Sequence, residues 1–511
     1  MPDPKHAADR PATFGEVFAD REFRAVFSAS ALSWCGDYLA KAAVTALVFT
    51  LSGSVALSAA SFAVSFLPGL TAGPFLAALA ERYPHRTVMV ICDLLRAGLI
   101  SLVALPNMPV AAMLLLLFTT ALLNPAFDAS RSALTPRILT GDRYVVGLSA
   151  QRTANSLAQV LGYVAGGVLA PFHPRLALLI DAVTFLLSAA FVGFGLADRP
   201  VLGEHPRHGH LVRETGAGFK LVWTNPVLRA IAFVVLGSSL FAVVPEGLGA
   251  AWAANISTSQ AGRGVVQALI MMAGPTGAAV GALVISRLVA PQRRHKLIRP
   301  LAVAVPLTLA PTLFVDTAAV VTALVVISGF AAGGLITSTN HLFVSALPAD
   351  FRARAFGVMQ FGLQLTQAVA LFATGMLADH DANAVPTVVG AWSLAGAVGM
   401  VLVGMVWPSA TVVDSTVAEV QAQNALTEAK AQDPALVMPA PEEAVGIPQD
   451  VGSDAGTGDE PVAPPASVPP APAPAARNRR SARSASVERS TRQDLPDHDL
   501  SRQAPAHRPV A

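Results

Sequence analysis

The chain has 511 residues, of which 53% are hydrophobic and only 13% are charged, with a net charge of +2. Soluble domains carry about 25% charged residues, so this deficit indicates a protein whose solvent is lipid. The nearly neutral charge excludes the broad positive field of a nucleic-acid-binding protein. Cys35 and Cys92 lie inside apolar runs without metal-ligand spacing, so we expect neither a disulfide framework nor a metal site.

The N-terminal segment, residues 1–24, is charged and has no short apolar core with a cleavage site, so we predict a cytoplasmic lead-in rather than a signal peptide. A helix needs about 20 apolar residues to cross the hydrocarbon core. Runs of this kind predict twelve transmembrane helices, at residues 25–50, 56–80, 87–105, 109–128, 146–170, 176–197, 228–253, 263–290, 298–315, 318–345, 354–378 and 386–407.

The connections between these spans alternate in charge. One set is basic, and the other, poor in Lys and Arg, comprises residues 51–54, 105–109, 171–174, 255–260 and 379–383. The positive-inside rule places the basic connections and both termini in the cytoplasm, so we expect a multi-pass protein of the cell membrane.

The longest internal connection, residues 198–227, separates a bundle at residues 25–197 from a second at residues 228–408. Its Leu211–Trp223 stretch predicts a short amphipathic helix on the membrane surface. Similar residues recur in the two bundles at a nearly constant offset; Asp37 and Glu246, for example, are 209 residues apart. This offset predicts two parallel six-helix pseudo-repeats in an all-α membrane protein.

The chain beyond Pro408 changes in composition. Residues 409–511 are rich in Ala, Pro, Ser and charge, so too little apolar surface remains to offset chain entropy. We predict a disordered cytoplasmic tail. Its arginines between residues 477 and 492 fit either a solvated segment or a contact with anionic lipid.

The connection after the second span reads Ala-Ala-Leu-Ala-Glu-Arg-Tyr-Pro-His-Arg over residues 77–86. It resembles the signature of the major facilitator superfamily, Gly-x-Leu-Ala-Asp-Arg-x-Gly-Arg-Arg, and keeps an acid and two of the arginines. Residues 93–96 and 124–128 resemble the macrolide-efflux and enterobactin-exporter branch, a group of drug:proton antiporters. The resemblance covers about residues 20–408 and implies the major facilitator fold.

The resemblance also implies that this connection latches one conformation of the protein. A carboxylate there can face the N-terminal dipole of a helix in the other bundle, Arg86 can pair with Asp128, and Asp93 with Arg96 can brace the loop. The alternative is that Arg82 and Arg86 are only positive-inside anchors. The latch candidates are Glu81, Arg82, Arg86, Asp93, Arg96 and Asp128.

The fifth span contains Gly-Tyr-Val-Ala-Gly-Gly-Val-Leu over residues 162–169. It resembles the antiporter signature Gly-Pro-x-x-Gly-Gly-x-Leu, with Tyr163 in place of the proline. The resemblance implies a tight pivot at Gly162, Gly166 and Gly167 that limits proton leak. Ordinary close packing of helices through small residues is the alternative.

Ionisable groups inside a membrane are costly, so each is a functional candidate. Asp37 either carries a proton or is neutralised by Lys41 one helical turn later. Glu246 has no charged neighbour in sequence, and unpaired burial favours its protonated form. An interfacial pair with Arg175 is the simplest interpretation of Asp181. The full set of proton-coupling or substrate candidates is Asp37, Glu246, Arg152, Gln360, Gln364 and Gln367.

The sequence has no nucleotide-binding Gly-Lys-Ser/Thr motif and no nucleophile constellation, so we expect neither an ATP-driven protein nor an enzyme. We predict a proton-coupled exporter of an amphipathic small molecule, of the drug, macrolide or siderophore type, that works by alternating access as a monomer among membrane lipids, without a cofactor or nucleic acid. The alternatives are an importer, a lipid flippase or an uncoupled uniporter on the same fold, or a sensor or scaffold acting through the tail.

Overall fold

The structure, a computed structural model, describes residues 12–71, 76, 82–199 and 211–432, which are helical and contain no strand. All the helices described below belong to one compact unit. The latch candidate Glu81 and the tail from residue 433 lie outside the described residues.

In the first half, which ends at residue 199, a short 3₁₀ turn (Val64–Phe66) interrupts the second predicted span. The α-helices are α1 (Phe14–Ala19), α2 (Arg21–Ser52), α3 (Val55–Ala63), α4 (Leu67–Thr71), α5 (His85–Val103), α6 (Val110–Leu122), α7 (Asn124–Ile138), α8 (Asp142–Leu169) and α9 (Pro174–Gly195).

In the second half, which begins at residue 211, four 3₁₀ turns occur at His295–Leu297, Ala310–Leu313, Ala349–Phe351 and Ala382–Ala384. The α-helices are α10 (Leu211–Thr224), α11 (Pro226–Ala242), α12 (Val244–Ile256), α13 (Gln260–Leu288), α14 (Pro291–Arg294), α15 (Ile298–Leu307), α16 (Ala318–Ser345), α17 (Arg352–Ala378), α18 (Val385–Met405) and α19 (Ala410–Gln432).

Helix occupies at least part of each of the twelve predicted spans. Among the described residues, eight segments are long and apolar enough to cross a membrane, so a multi-pass membrane bundle is established and the count of twelve stays a prediction. The eight are Val110–Ile138, Pro174–Gly195, Pro226–Ile256, Gln260–Leu288, Pro291–Leu313, Ala318–Ser345, Ala349–Ala378 and Val385–Met405.

Local sequence explains where the helices begin and break. The Asp20 carboxylate accepts two first-turn N–H groups of α2 at 2.8 and 3.0 Å, and Gly53, with φ of 66°, ends that helix. Pro125 and Pro245 stand in the first turns of α7 and α12, directly after breaks in two long segments. Proline lacks an N–H, so each break falls where a continuous helix would lose a hydrogen bond.

One buried core joins the two halves. Phe62 and Tyr163 of the first half pack with Leu248 and Trp252 of the second, and each is at most 2% exposed. This core lies beneath four connections that approach one another across the bundle, at residues 51–54, 171–174, 255–260 and 379–383. We call this region the sealed end.

At the opposite end each half has a core of its own. Met89 and Phe127 belong to a cluster formed only by the first half, and Leu228 and Leu347 belong to one formed only by the second. Between described residues, all the hydrogen bonds that link the halves lie at the sealed end or near the middle of the bundle. The described halves are therefore joined at one end and separately packed at the other.

The structure differs from the sequence prediction at the start of the tail, where α19 replaces the expected disorder. Val413 and Val417 pack against the second-half core, and the Asn424 side chain accepts the N–H of Ala349 at 2.8 Å. Valines at 413, 417 and 420 repeat at helical spacing and give one apolar face. The average composition of residues 409–511 conceals this short pattern.

The central connection also contains helix, because the stretch predicted near Leu211–Trp223 forms α10. A Cβ atom on Gly218 would lie 3.1 Å from the carbonyl oxygen of Arg354, so α10 rests closely on the start of α17. Phe219 and Trp223 stack at 5.5 Å and are both exposed. Exposed aromatic side chains of this kind suit a membrane–water interface.

Candidate functional site

A polar cavity of about 620 Å³ lies between the two halves. The first half contributes charged and polar side chains from α2, α5, α7, α8 and the 3₁₀ turn at Val64–Phe66, and the second half contributes two glutamines of α17. The polar side chains of this central cavity are Ser33, Asp37, Tyr38, Lys41, Ser65, Arg96, Asn124, Asp128, Asn155, Gln360 and Gln364.

The α2 pair, Asp37 and Lys41, lines this cavity, where a proton-carrying or substrate-binding role of Asp37 requires it to be. No ion pair within 4 Å joins them in the described part of the chain; instead the Lys41 ammonium lies 5.0 Å from the ring centre of Tyr38 and 5.8 Å from that of Phe62. The direct ion pair with Lys41, one of the two alternatives for Asp37, is not formed. Lys41 interacts electrostatically with Asp37, Glu246 and Asp181, so one cation serves three acids.

Glu246 occupies the first turn of α12, directly after the break at Val243, and its Oε2 accepts a 2.8 Å hydrogen bond from the Tyr163 hydroxyl. Tyr163 belongs to the first half and is 1% exposed, so this bond joins the halves through a buried tyrosine and a partly buried acid. Its ring also packs edge-on against Tyr38 at 5.3 Å. In the sequence, Tyr163 is notable only because it replaces the proline of the antiporter signature. A buried tyrosine hydroxyl usually has a hydrogen-bond partner, and this general rule could have predicted that Tyr163 bonds to a polar group.

A second charged group is buried deeper in the first half. Arg96 and Asp93, 2% and 0% exposed, approach to 3.5 Å, and the Ser188 hydroxyl donates a 2.6 Å hydrogen bond to Asp93. The Arg96 guanidinium also lies 5.0 Å from the ring of Phe127 and 5.5 Å from that of Phe185. Aromatic faces and one carboxylate thus replace the water that a buried guanidinium would lose.

Asp181 is the largest departure from the predicted site. It is 1% exposed and forms no pair with Arg175, so the expected interfacial pair is wrong. The cause is Gly36, where a Cβ atom would lie 2.3 Å from Asp181 Oδ1 and which therefore lets α9 approach α2 closely. Asp181 Oδ1 accepts a long 3.3 Å bond from Thr184, whereas its Oδ2 has no hydrogen-bond partner among the described residues.

These groups form one electrostatic cluster with more acids than bases. Asp37 interacts with both cations, Asp181 with Asp37, Arg96 and Asp93, and Glu246 with Lys41. Asp128 also acts on Asp37 but is paired with Arg131; apart from that pair, four carboxylates face two cations, a formal excess of two negative charges if all are ionised. The members are Asp37, Asp93, Asp181 and Glu246 as acids, and Lys41 and Arg96 as bases.

The latch pair expected between Arg86 and Asp128 is not formed in this conformation, and the latch stays a prediction. Arg86 donates to the carbonyl oxygen of Gly193, and Asp128 pairs with Arg131 at 2.9 Å. Asp128 and Arg131 stand three residues apart on α7, so they meet on one helix face without any contribution from Arg86. Arg82 lies in an exposed turn just before α5.

The remaining polar candidates separate into three groups. Arg152 lines a neighbouring cavity of about 470 Å³ that shares Asp128 and Asn155 with the central one. Gln364 faces Gly69 of α4 so closely that a Cβ atom there would lie 1.6 Å from its Oε1, an atom without a hydrogen-bond partner in the described chain. Gln360 lines the central cavity as well, whereas Gln367 does not line it.

The glycines of the Gly-rich segment lie at two contacts. Cβ atoms on Gly162 and Gly166 would lie 2.7 and 2.5 Å from the carbonyl oxygens of Cys35 and Leu39 on α2. A Cβ atom on Gly167 would lie 2.7 Å from Cα of Ala268 on α13. Two of these glycines therefore pack within the first half and the third packs against the second half.

The sealed end is held by polar contacts that the sequence did not reveal. Asp379 Oδ1 accepts the Ser54 hydroxyl at 2.7 Å and the Ala56 N–H at 3.0 Å, and these bonds lower the pKa of Asp379 from its ordinary value. Gln267 donates to the Ala42 carbonyl oxygen at 2.8 Å. Each of these bonds crosses between the halves.

A helical membrane bundle with a polar cavity between two halves, joined at one end only, has the architecture of a secondary transporter. The model of the Major Facilitator Superfamily matches residues 26–371 of the chain. The chain belongs to the Major Facilitator Superfamily, and it is therefore a multi-pass membrane protein of secondary transport with a small-molecule substrate. A comparison with curated proteins gave no match.

Solved structures with the same fold have little sequence in common with this chain. A variant of the nucleoside transporter NupG matches with a TM-score of 0.62 at 13% identity, covering 75% of this chain and 99% of that one. A bacterial homologue of the human lysosomal transporter Spinster, inward-facing and unoccupied, gives 0.61 at 11% identity, covering 78% and 98%. A POT family transporter in complex with 5-aminolevulinic acid gives 0.59 at 12% identity, covering 78% and 98%.

Proposed function

We propose that this transporter exports an amphipathic small molecule in exchange for protons, by alternating access of the central cavity. The observation that carries the proposal is the acid excess, four carboxylates against two cations, around the cavity and beneath it. Burying uncompensated charge in a low-dielectric interior is costly. Binding protons, or binding a cationic substrate, removes that cost, so the two ligands are natural competitors for the same site.

Glu246 is the coupling acid in this proposal. It lies at a helix break, is bonded to the other half through Tyr163, and shares Lys41 with the cavity acid Asp37. A proton on Glu246 removes the charge that strengthens the Tyr163 bond and attracts Lys41. Protonation is therefore expected to weaken a contact between the halves and to shift the population of the two conformations.

The direction of transport rests on the charge of the connections. The positive-inside rule places the sealed end outside and the opposite end in the cytoplasm. The conformation described here would then face inward and accept substrate from the cytoplasm or the inner leaflet. Protons entering from outside would drive release after the bundle reverses.

The class of substrate follows from the lining of the cavity. Carboxylates in excess, together with aromatic rings such as Tyr38 and Phe127, favour a cationic or neutral amphipathic compound over a polyanionic siderophore. We therefore propose drug-like or macrolide-like compounds as substrates. A volume of about 620 Å³ suits a ligand of that size.

The test is proton movement in inverted membrane vesicles that carry an imposed pH gradient. Cationic macrolides and dyes should each dissipate part of the gradient when added, and anionic siderophores should not. Glu246→Gln and Asp37→Asn should abolish or strongly reduce this response at equal protein abundance. If accumulation of a compound is saturable but unaffected by both substitutions and by the gradient, the protein is an uncoupled uniporter and the proton proposal fails.

A further inference from the structure

A second cavity, of about 780 Å³, lies outside the transport route and is closed on one side by α19. The connection between α13 and α15 forms its charged wall, and the C-terminal ends of α16 and α18 form its floor. Side chains of particular interest are Arg294, Lys296, Arg299, His341, Trp407 and Asp414. We call this space the tail cavity.

The charge of the tail cavity is strongly one-sided. Arg294, Lys296 and Arg299 face a single acid, Asp414. Arg294 is occupied, because it donates to the carbonyl oxygens of Val289 and Ser286 at 3.0 and 2.8 Å. Lys296 and Arg299 form neither a hydrogen bond nor an ion pair with any residue in the described part of the chain. Two unpaired cations therefore border a cavity that holds one carboxylate.

The opposite wall of the tail cavity is made by the tail helix and is mainly apolar, with Asp414 and Gln421 as its polar members. Val413 and Val417 of α19 line it beside Trp407 and Leu342. The helix is fixed in place by Asn424, whose Oδ1 accepts the Ala349 N–H at 2.8 Å and whose Nδ2 lies 3.4 Å from the Leu347 carbonyl oxygen. The cavity thus exists only while α19 is docked on the second half.

We propose that the tail cavity binds a phosphate-bearing anion with an adjoining apolar part. Two free cations on one side recognise a phosphate, and the valine and tryptophan wall accommodates the apolar part. A volume of about 780 Å³ lies within the range of small-molecule sites. The anion comes either from a phospholipid headgroup at the membrane surface or from a soluble phosphate compound, and both share this chemistry.

Occupancy of the cavity bridges α19 and the transport domain. None of its lining residues belongs to the central cavity, so the site is separate from the substrate pathway. A ligand that contacts the valines of α19 and also Lys296 or Arg299 binds only the form of the protein in which α19 is docked on the second half. By mass action it stabilises the docked tail helix.

The experiment uses the purified full-length chain in neutral detergent and measures its thermal unfolding midpoint. The three probes are dihexanoyl phosphatidylglycerol, dihexanoyl phosphatidylcholine and inorganic phosphate, each titrated at constant ionic strength. A saturable rise with phosphatidylglycerol alone identifies a lipid headgroup, and a rise with inorganic phosphate as well identifies a phosphate site of either source. No saturable rise with either anion, or an equal rise with phosphatidylcholine, overturns the proposal.

The matched variants separate this site from general surface attraction. Lys296→Gln with Arg299→Gln should weaken the apparent affinity roughly fivefold for each cation removed. Arg293→Gln removes an equally exposed cation of the same segment that does not line the cavity, and it should leave the affinity unchanged. An equal loss in Arg293→Gln means diffuse attraction and contradicts the proposal.

A variant that exchanges the two cations and keeps their charge is the control for a folding defect in the double glutamine variant. Lys296→Arg with Arg299→Lys should retain binding within about twofold, since the positive charge at the cavity wall is unchanged. Asn424→Ala, which removes the anchor of α19 but no cation, should weaken binding because the apolar wall is displaced. Full binding in Asn424→Ala would show that α19 is not part of the site.

Discussion

The Tyr163 hydroxyl donates a 2.8 Å hydrogen bond to Oε2 of Glu246, and this bond crosses from one half of the bundle to the other. The tyrosine stands where the antiporter signature has a proline, and the acid stands where a proline-containing break interrupts a long helical segment. The residue that departs from the signature and the acid at the helix break are therefore in direct contact with each other. A bond of this kind depends on the charge of the acid and on the distance between the halves.

Tyr163→Phe removes the donor and keeps the ring. A hydrogen bond to a charged group contributes about 1.5–3 kcal/mol, so the substitution should lower proton-driven transport at least several-fold. Glu246→Gln keeps an oxygen that accepts this bond but removes its charge. In a double-mutant cycle the second substitution should add little to the first, because each removes the charge-assisted bond. Proton flux in inverted vesicles measures each variant.

The control for that cycle is Tyr144→Phe, which removes a tyrosine hydroxyl from the same helix without touching Glu246. It should be additive with Glu246→Gln. Full additivity of Tyr163→Phe and Glu246→Gln would show that the bond is not used during transport.

Asp379→Ala should loosen the sealed end. The Ser54 hydroxyl and the Ala56 N–H both lower the pKa of this exposed carboxyl, so its contribution is present above the ordinary aspartate pKa and is lost as pH falls through the lowered value, below about pH 4. Spin labels at Leu57→Cys and Met376→Cys, on exposed positions of α3 and α17, should report a larger fraction of long distances in the variant.

The same label pair should show lengthening in the unsubstituted protein when pH is lowered below about 4, and no further change in Asp379→Ala. Asp381→Ala is the matched control, because among the described residues the Asp381 side chain accepts only the N–H of Asn383 in its own connection. An identical distance change in Asp381→Ala would mean that the effect is a general one of removing charge from this connection.

Gly167→Val should hinder closure of the sealed end. A Cβ atom here would lie 2.7 Å from backbone atoms of Ala268, so α8 and α13 must separate to admit it. Overpacking of this kind costs about 1–3 kcal/mol. We expect the labelled pair to shift toward long distances, whereas Gly98→Val, at a site with open space within 4 Å, should leave the distribution unchanged.

Arg96→Gln should be more damaging than Asp93→Asn. Removing the buried cation leaves Asp93 and Asp181 without their neighbour, a loss of about 3–5 kcal/mol for an uncompensated buried charge. Asp93→Asn only reduces the acid excess. The thermal unfolding midpoint measures the difference, and adding Asp93→Asn to Arg96→Gln should recover part of the loss; a further drop would contradict this account of the charges.

Sequence reasoning succeeded where a pattern repeats along one helix. Helix occupies at least part of each of the twelve predicted spans. Asp37 and Glu246 were singled out because charge is rare in such segments, and their roles stay predictions. The glycines at 162, 166 and 167 were also identified as contact points. These properties depend on neighbours in sequence, which hydropathy and spacing describe well.

Partners between distant segments were the harder part. Asp181 was expected at the interface because Arg175 is near in sequence, but Gly36, 145 residues away, draws it into the interior. Arg86 was assigned to Asp128 from the family pattern, although Arg131 is closer on the same helix. The α19 helix was missed because three valines are a weak signal within a polar tail. A tertiary contact outweighed the local signal for Asp181, whereas for Asp128 a local partner three residues away replaced the expected distant one.

The shared core of the sealed end has a thermal consequence. Trp252 and Phe62 are dry in the conformation described here, and opening that end to water would hydrate them. Hydration of apolar surface raises heat capacity, by about 0.45 cal/mol/K for each Å² exposed. The two conformations should therefore differ in heat capacity, their balance should drift toward the hydrated form on cooling, and an Eyring plot of the turnover rate should be curved rather than straight.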